Sequence, residues 1–205
     1  MTANYEATFQ EYMARIATAL QRSPFDKLDA IAHVLSQARI AGKWIYLVGN
    51  GGSASTASHF ANDLVKGLSV EHHVRFRAHA LCDALPIMTA LANDYHYDVV
   101  YSEQLKNFSI AGDILIAISG SGNSSNIIKA AQYAQGIGMK VISFTGRDGG
   151  KLLEYSDICC ISATSVMEEI EDIHMVWEHS LITILRSMIQ LEDVIPQEET
   201  HEYSK

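Results

Sequence analysis

Apolar positions near the N-terminus recur at three- and four-residue spacing: Tyr5, Phe9, Met13, Ile16 and Leu20. That period lines one face and predicts a helix over residues 5–20, broken at Ser23-Pro24. Leu28, Ile31, Leu35 and Ala38 repeat the spacing and predict a second helix that ends near Gly42. The period then changes. Residues 43–48, 113–118, 140–145 and 157–161 are short apolar runs with β-branched or aromatic side chains, which predicts buried strands; residues 74–80 form a weaker one. Helical patterns over residues 54–68, 85–94, 98–108, 125–136 and 165–191 alternate with these runs. Strands alternating with helices at this spacing predict an α/β fold, a three-layer sandwich in which a parallel sheet carries helices on both faces.

Length and composition agree with that picture. A chain of 205 residues is short enough for one domain spanning residues 1–205, with a charged tail expected to fray over residues 196–205. Apolar types make up 48% and charged types 19%, enough for a substantial core. Fifteen Lys+Arg against 24 Asp+Glu give a formal charge of −9, which is not the electrostatic footprint of a nucleic-acid binder. A phosphorylated small molecule stays within reach, because it needs only local donors. The longest strongly apolar stretches are strand-sized, far short of the roughly 20 residues that cross a bilayer. No charged segment followed by an apolar run resembles a secretion signal. Cys82, Cys159 and Cys160 cannot build a disulfide framework. These features together lead us to expect a cytoplasmic protein.

Sheets of this kind bind ligands outside the carboxyl ends of their strands. Three expected strands end in Gly/Ser/Asn-rich turns on that rim. In Ser119-Gly120-Ser121-Gly122-Asn123-Ser124-Ser125, glycines admit close backbone approach and serine hydroxyls donate, while the next helix begins with unpaired N–H groups and a positive dipole end. This composition suits a phosphate cradle without lysine; a serine-capped turn has the same composition. Gly49-Asn50-Gly51-Gly52-Ser53-Ala54-Ser55 stands in the equivalent place after the first strand. Asn50 and Ser53 can reach a sugar hydroxyl and Ser55 a hydroxyl or phosphate, although Ser53 could equally be an N-cap. Gly146 to Gly150 form the third turn.

His59 and Asp63 fall one helical turn apart on a single face, a spacing that serves a divalent metal, a carboxylate base beside substrate, or a plain surface hydrogen bond. The late helix carries Glu168, Glu169, Glu171, Asp172, His174, Glu178 and His179 among apolar residues. At about 100° per residue, Glu168, Glu171, Met175 and His179 share one side, giving a face capable of metal binding or acid–base chemistry.

These residues, in order along nearly the whole chain, resemble the sugar isomerase (SIS) domain family and within it the phosphoheptose isomerases. The resemblance rests on residues 49–53, 59–63, 92–94, 118–124, 144–150 and 170–179. It implies a flavodoxin-like five-stranded parallel sheet, and a homotetramer with active sites between subunits to which the helical segment of residues 1–41 contributes. It implies aldose–ketose isomerisation of a phosphosugar through an enediol or enediolate, sedoheptulose 7-phosphate being the family's ketose, for heptose in surface polysaccharide. The family's catalytic pair falls on Asp63 and His179. Its zinc ligands fall on His59, Asp63, Glu171 and His179. Phosphate binding falls on Ser119, Ser121 and Ser124, and sugar contacts on Asn50, Gly51, Gly52, Ser53, Ser55, Asp94 and Glu168.

Two positions depart from the family pattern: Asp63 stands for a glutamate one methylene longer, and Glu171 for a glutamine. The shorter base must approach its proton to roughly 2.6–3.2 Å from a closer backbone. The extra carboxylate adds negative charge beside the metal position. A second reading is a non-catalytic SIS relative, a phosphosugar-binding protein or a partner of the bacterial replication initiator DnaA; keeping His59, Asp63, Glu171 and His179 together is unnecessary for such a scaffold. A third is an isomerase for another sugar phosphate.

Overall fold

A computed structural model describes residues 5–192. The expected tail over residues 196–205 lies outside the described residues. Two helices, α1 (Glu6–Leu20) and α2 (Phe25–Ile40), precede β1 (Trp44–Val48) and α3 (Gly52–Asn62). Then come β2 (Arg77–Ala80), α4 (Leu85–Asp94), α5 (Ser102–Phe108), β3 (Ile114–Ser119) and α6 (Ser125–Gly136). β4 (Lys140–Thr145), β5 (Ile158–Ile161) and α7 (Met167–Glu192) complete the order. All strand pairs are parallel, in the order β2-β1-β3-β4-β5.

Alternation along each strand divides the core in two. Ile45, Leu47, Ile114, Ile116, Ile118, Ile142 and Phe144 face α2, α3 and α7, joining Ile31, Leu35, Phe60, Ile173 and Trp177. Tyr46, Val48, Leu115, Ala117 and Val141 point the other way, onto Leu105 of α5 and Ile127, Ala130 and Ala134 of α6. Both faces of the sheet are covered, which is why the strands read as apolar runs rather than as strict alternation.

The structure corrects several boundaries. β2 is shorter than the expected 74–80, as befits an edge strand whose Arg-Ala-His-Ala sequence has only one buried residue. The expected helix over 98–108 is a 3₁₀ turn (Tyr97–Val99) followed by α5. The helix expected over 54–68 starts earlier, and it widens into a π turn (Asp63–Gly67) closed by the Leu68 amide on the Asp63 carbonyl at 3.0 Å. On α1 the apolar stripe does not pack inward: Tyr5, Phe9 and Met13 are about two-thirds exposed, at 65%, 67% and 67%, and Ala19 is the buried residue of that helix. At its C-terminal end Ala19 and Leu20 pack on the core, and polar contacts hold it further along. Arg15 donates to Glu169 at 2.7 Å, and Tyr12 donates to Asp172 at 2.6 Å, both on α7.

Candidate functional site

The strand order reverses between β1 and β3, because β2 lies outside β1 while β4 and β5 lie outside β3. Open sheets bind ligands at such a switch point, in the crevice beyond the carboxyl ends of the two strands. The Gly49–Ser53 and Ser119–Ser124 loops leave β1 and β3 there. The two loops are tied together. Asn50 and the first-turn residue Asn126 of α6 exchange amide hydrogen bonds of 2.9 and 2.8 Å. The Tyr97 hydroxyl adds a third at 2.9 Å, on Asn50 Oδ1, and the Tyr101 hydroxyl donates to the Gly49 carbonyl. One Asn50 amide hydrogen then remains for a ligand.

The serine loop keeps its hydroxyls largely uncommitted to its own helix. Ser124 holds the cap position of α6 with extended backbone, yet makes no side-chain cap hydrogen bond. Its Oγ lies 3.5 Å from that of buried Ser119. Ser121 Oγ accepts from the Asn123 amide at 3.2 Å. A polar helix N-terminus with two such hydroxyls suits an anion. The third turn does not add another set of donors to the crevice; it buttresses the second. The Leu152 amide donates to the Gly122 carbonyl at 2.9 Å, and Lys151 N to Asn123 Oδ1 at 3.2 Å. Gly122, at φ 63°, lies so close to this turn that a Cβ there would meet the Gly149 carbonyl oxygen at 2.0 Å.

In the first loop, Gly51 rather than Ser53 occupies the N-cap of α3, so Ser53 sits inside the first turn and is buried. Ser55 is exposed and lines an open cleft of about 550 Å³ with Ser58, His59, Asn62, Cys82 and Asp83. Burial, followed by the neighbouring Asp83 charge, pushes the Cys82 thiol up to about 11, so it is no thiolate nucleophile near neutrality. Asp94 is exposed at the end of α4 and accepts from Asn93 at 2.8 Å; Glu168 is exposed in the first turn of α7. Neither is drawn to the crevice within one chain by any contact seen here.

The second part of the site lies where α3 packs beside α7. His59 Nε2 is 3.1 Å from His179 Nε2 and 3.5 Å from Asp63 Oδ2. The two rings meet edge to face, with centroids 5.1 Å apart at 73°. His59, Asp63 and His179 are thus brought together within a single chain. The fourth group is Glu178: one ligand atom from each of these residues lies within 4.8 Å of all the others. Glu171 stands apart from that set, its carboxylate against the start of α3, where a Cβ on Gly52 would come within 2.5 Å of both its oxygens.

Glu178 is fully buried at 0% exposure, and neither carboxylate oxygen has a hydrogen-bond partner. Burial, and then the charge of Asp63, push its carboxyl up to about 8. The periodicity argument gave it no role, because it places His179 with Glu171 on one side of α7 and leaves Glu178 off that side. The usable signal was its place in the buried stripe of Ile170, Ile173, Trp177, Leu181 and Leu185, where an acid needs a partner. His174 is buried in the same helix, against Phe144 and Trp177, with Nε2 3.0 Å from the Thr145 carbonyl. Burial pulls it down to about 4, partly offset by that hydrogen bond, so it is a neutral core residue. Two imidazoles and two carboxylates form a donor set that fits a borderline divalent cation such as zinc.

The chain is similar to known proteins along most of its length. The SIS domain model matches residues 8–146. The phosphoheptose isomerase of Aliarcobacter butzleri is 38% identical over 176 residues, covering 86% of this chain and 90% of that protein. The phosphoheptose isomerase of Shewanella piezotolerans is 39% identical over 182 residues, covering 82% and 92%. Among solved structures, the phosphoheptose isomerase of Neisseria gonorrhoeae superposes with a TM-score of 0.80 at 32% identity, over 88% of this chain and 96% of that one. That of Francisella tularensis gives 0.84 at 26% identity, over 90% and 100%.

Proposed function

The chain belongs to the SIS domain family, and from that premise we propose that it is a phosphosugar aldose–ketose isomerase converting sedoheptulose 7-phosphate to D-glycero-D-manno-heptose 7-phosphate for heptose-containing surface polysaccharide. The observation that carries the reading is the convergence of His59, Asp63 and His179, from α3 and α7, on a fold whose switch-point loops are built for an anion and hydroxyls.

In this reading Ser119, Ser121 and Ser124 take the phosphate at the N-terminus of α6, while Asn50, Gly51, Gly52, Ser53, Ser55, Asp94 and Glu168 face the sugar. Phosphate binding far from the reacting carbons holds the substrate in register. Asp63 removes the proton from C1, the electron pair moves into the C1–C2 bond, and the C2 oxygen gathers charge. His179 hands a proton to C2, the O1 hydroxyl proton passes to O2, and C1 becomes the aldehyde. Exchange with solvent resets both side chains. The π turn beginning at Asp63 is a local departure of the kind found at functional sites, and it bears on how a base one methylene short is presented. A divalent ion, zinc by the chemistry of the donors, would be held by His59, Asp63, His179 and a further carboxylate, and would polarise the carbonyl and enediolate oxygens.

The exposed apolar stripe of α1 supports assembly into a homotetramer with sites between subunits, as does the groove of about 400 Å³ that Leu20, Phe25, Leu28, Val176 and Ile184 help to line. No described helix is long and apolar enough to cross a membrane, and a cytoplasmic location agrees with a biosynthetic role.

The experiment is isomerisation in heavy water, followed by NMR, with metal-replete protein and sedoheptulose 7-phosphate. The expected result is the aldose 7-phosphate carrying deuterium at C2. Neither product nor exchange at C1 or C2 would overturn the reading; exchange with other ketose phosphates only would move the substrate, not the chemistry.

A further inference from the structure

We propose that Glu178, not Glu171, completes the divalent-cation site of this chain, giving a set of His59 Nε2, Asp63, Glu178 and His179 Nε2. The inference deepens the isomerase reading and rests on it only for the ion's use, not for its binding.

Distances carry the argument first. Zinc bonds of about 2.0–2.1 Å in a tetrahedron put neighbouring donor atoms roughly 3.3 Å apart. Three edges of the cluster already have that length: 3.1 Å from His59 Nε2 to His179 Nε2, 3.5 Å from His59 Nε2 to Asp63 Oδ2, and 3.4 Å from His179 Nε2 to Glu178 Oε2. Two ring nitrogens that close cannot both carry a proton comfortably. They share one proton as a hydrogen bond, or both turn lone pairs to a cation at the same separation.

The state of Glu178 is the second, independent observation. A carboxyl group at 0% exposure without a hydrogen-bond partner on either oxygen leaves buried polar atoms unsatisfied, which is costly unless a ligand occupies the space before it. The side chain is aimed into the cluster and not at bulk water, since its oxygen is the one measured against His179. Fixed in the core of α7, it is a preordered ligand.

Glu171 is placed elsewhere by the same two helices. It rests on Gly52, which precedes His59 by seven residues on α3, so roughly 10 Å of helix rise lies between them. On α7, Glu171 lies eight residues before His179, about 12 Å of rise, whereas Glu178 is the adjacent residue. Glu171 is therefore left on the loop side of α3, beside the glycine turn that faces the sugar.

The test is zinc binding by chelator-stripped protein, measured by competition with a chromophoric chelator, with circular dichroism as a check on folding. Glu178→Gln, which keeps the side-chain volume, is expected to weaken zinc at least tenfold, while Glu171→Gln keeps the wild-type affinity. Wild-type affinity in Glu178→Gln overturns the proposal. So does a tenfold loss in Glu171→Gln, a measurement that stands even if the buried variant fails to fold. Wild type that binds no zinc also overturns it, and deuterium exchange by the stripped protein then tells whether the isomerase reading survives alone.

Discussion

Asn50 and Asn126 exchange two amide hydrogen bonds across the mouth of the sheet, one from each side chain to the other. The pair joins the loop after β1 to the helix after β3, and so fixes the distance between the two halves of the crevice, which the proposed function gives to sugar and phosphate. Each net hydrogen bond is worth roughly 1 kcal/mol. Asn126→Leu removes both bonds and is expected to raise KM for the sugar phosphate about tenfold, with kcat much less affected. Steady-state kinetics checks this, and an unchanged KM would show the clamp to be idle.

Asp63 tests the acid–base assignment. Asp63→Asn retains shape but cannot accept a carbon-bound proton. General-base contributions run at about 10²–10⁴-fold, so turnover is expected to fall by at least 10²-fold while phosphosugar binding, read by calorimetry, stays near wild type. Residual activity within a few-fold of wild type would remove Asp63 from the chemistry.

Gly122 tests the cradle. A side chain there meets both a positive φ and the Gly149 carbonyl oxygen. Left-handed backbone alone costs an alanine about 1–2 kcal/mol, and the contact forces the two turns apart. Gly122→Ala is expected to lower the urea midpoint and to raise KM for the phosphosugar more than it lowers kcat.

His174 sets an acid limit. Its folded pKa of about 4 lies below the ordinary 6.5, so the unfolded chain binds the proton first as pH falls. The stability that His174 contributes is complete above pH 6.5 and is lost between pH 6.5 and 4, amounting to about 3 kcal/mol. Urea titrations of metal-free protein at several pH values should show this slope, reduced in His174→Gln. Equal slopes in the two proteins would show that His174 does not govern the acid limb.

Much of this was readable in the sequence, for local reasons. The inner strands stand out because a sheet covered on both faces makes them nearly uniformly apolar, and Ile114–Ser119 is buried throughout. The loops were legible because glycine and serine at a strand end have few other uses. What local patterning could not supply was which way a face points, as with the α1 stripe, whose Tyr5, Phe9 and Met13 are exposed. It also could not show which acid on α7 lies beside His59 and Asp63: angular spacing pairs Glu171 with His179, but the contact depends on how far along its axis each helix has travelled. Glu178 was hidden by its neighbours, because acids crowded on one helix look solvated until burial separates them.

The wedge of backbone between Gly122 and Gly149 has a consequence for recognition. Backbone lies against backbone there, and the Asn123 side chain accepts from Lys151 N across the gap, so the two turns have little room to shift against each other. The backbone of the serine loop is thus held in place before any ligand binds. On the proposed function, selectivity among phosphorylated sugars then rests on the length and hydroxyl pattern beyond the phosphate, while the phosphate acts as a fixed hinge pin for the carbon chain attached to it.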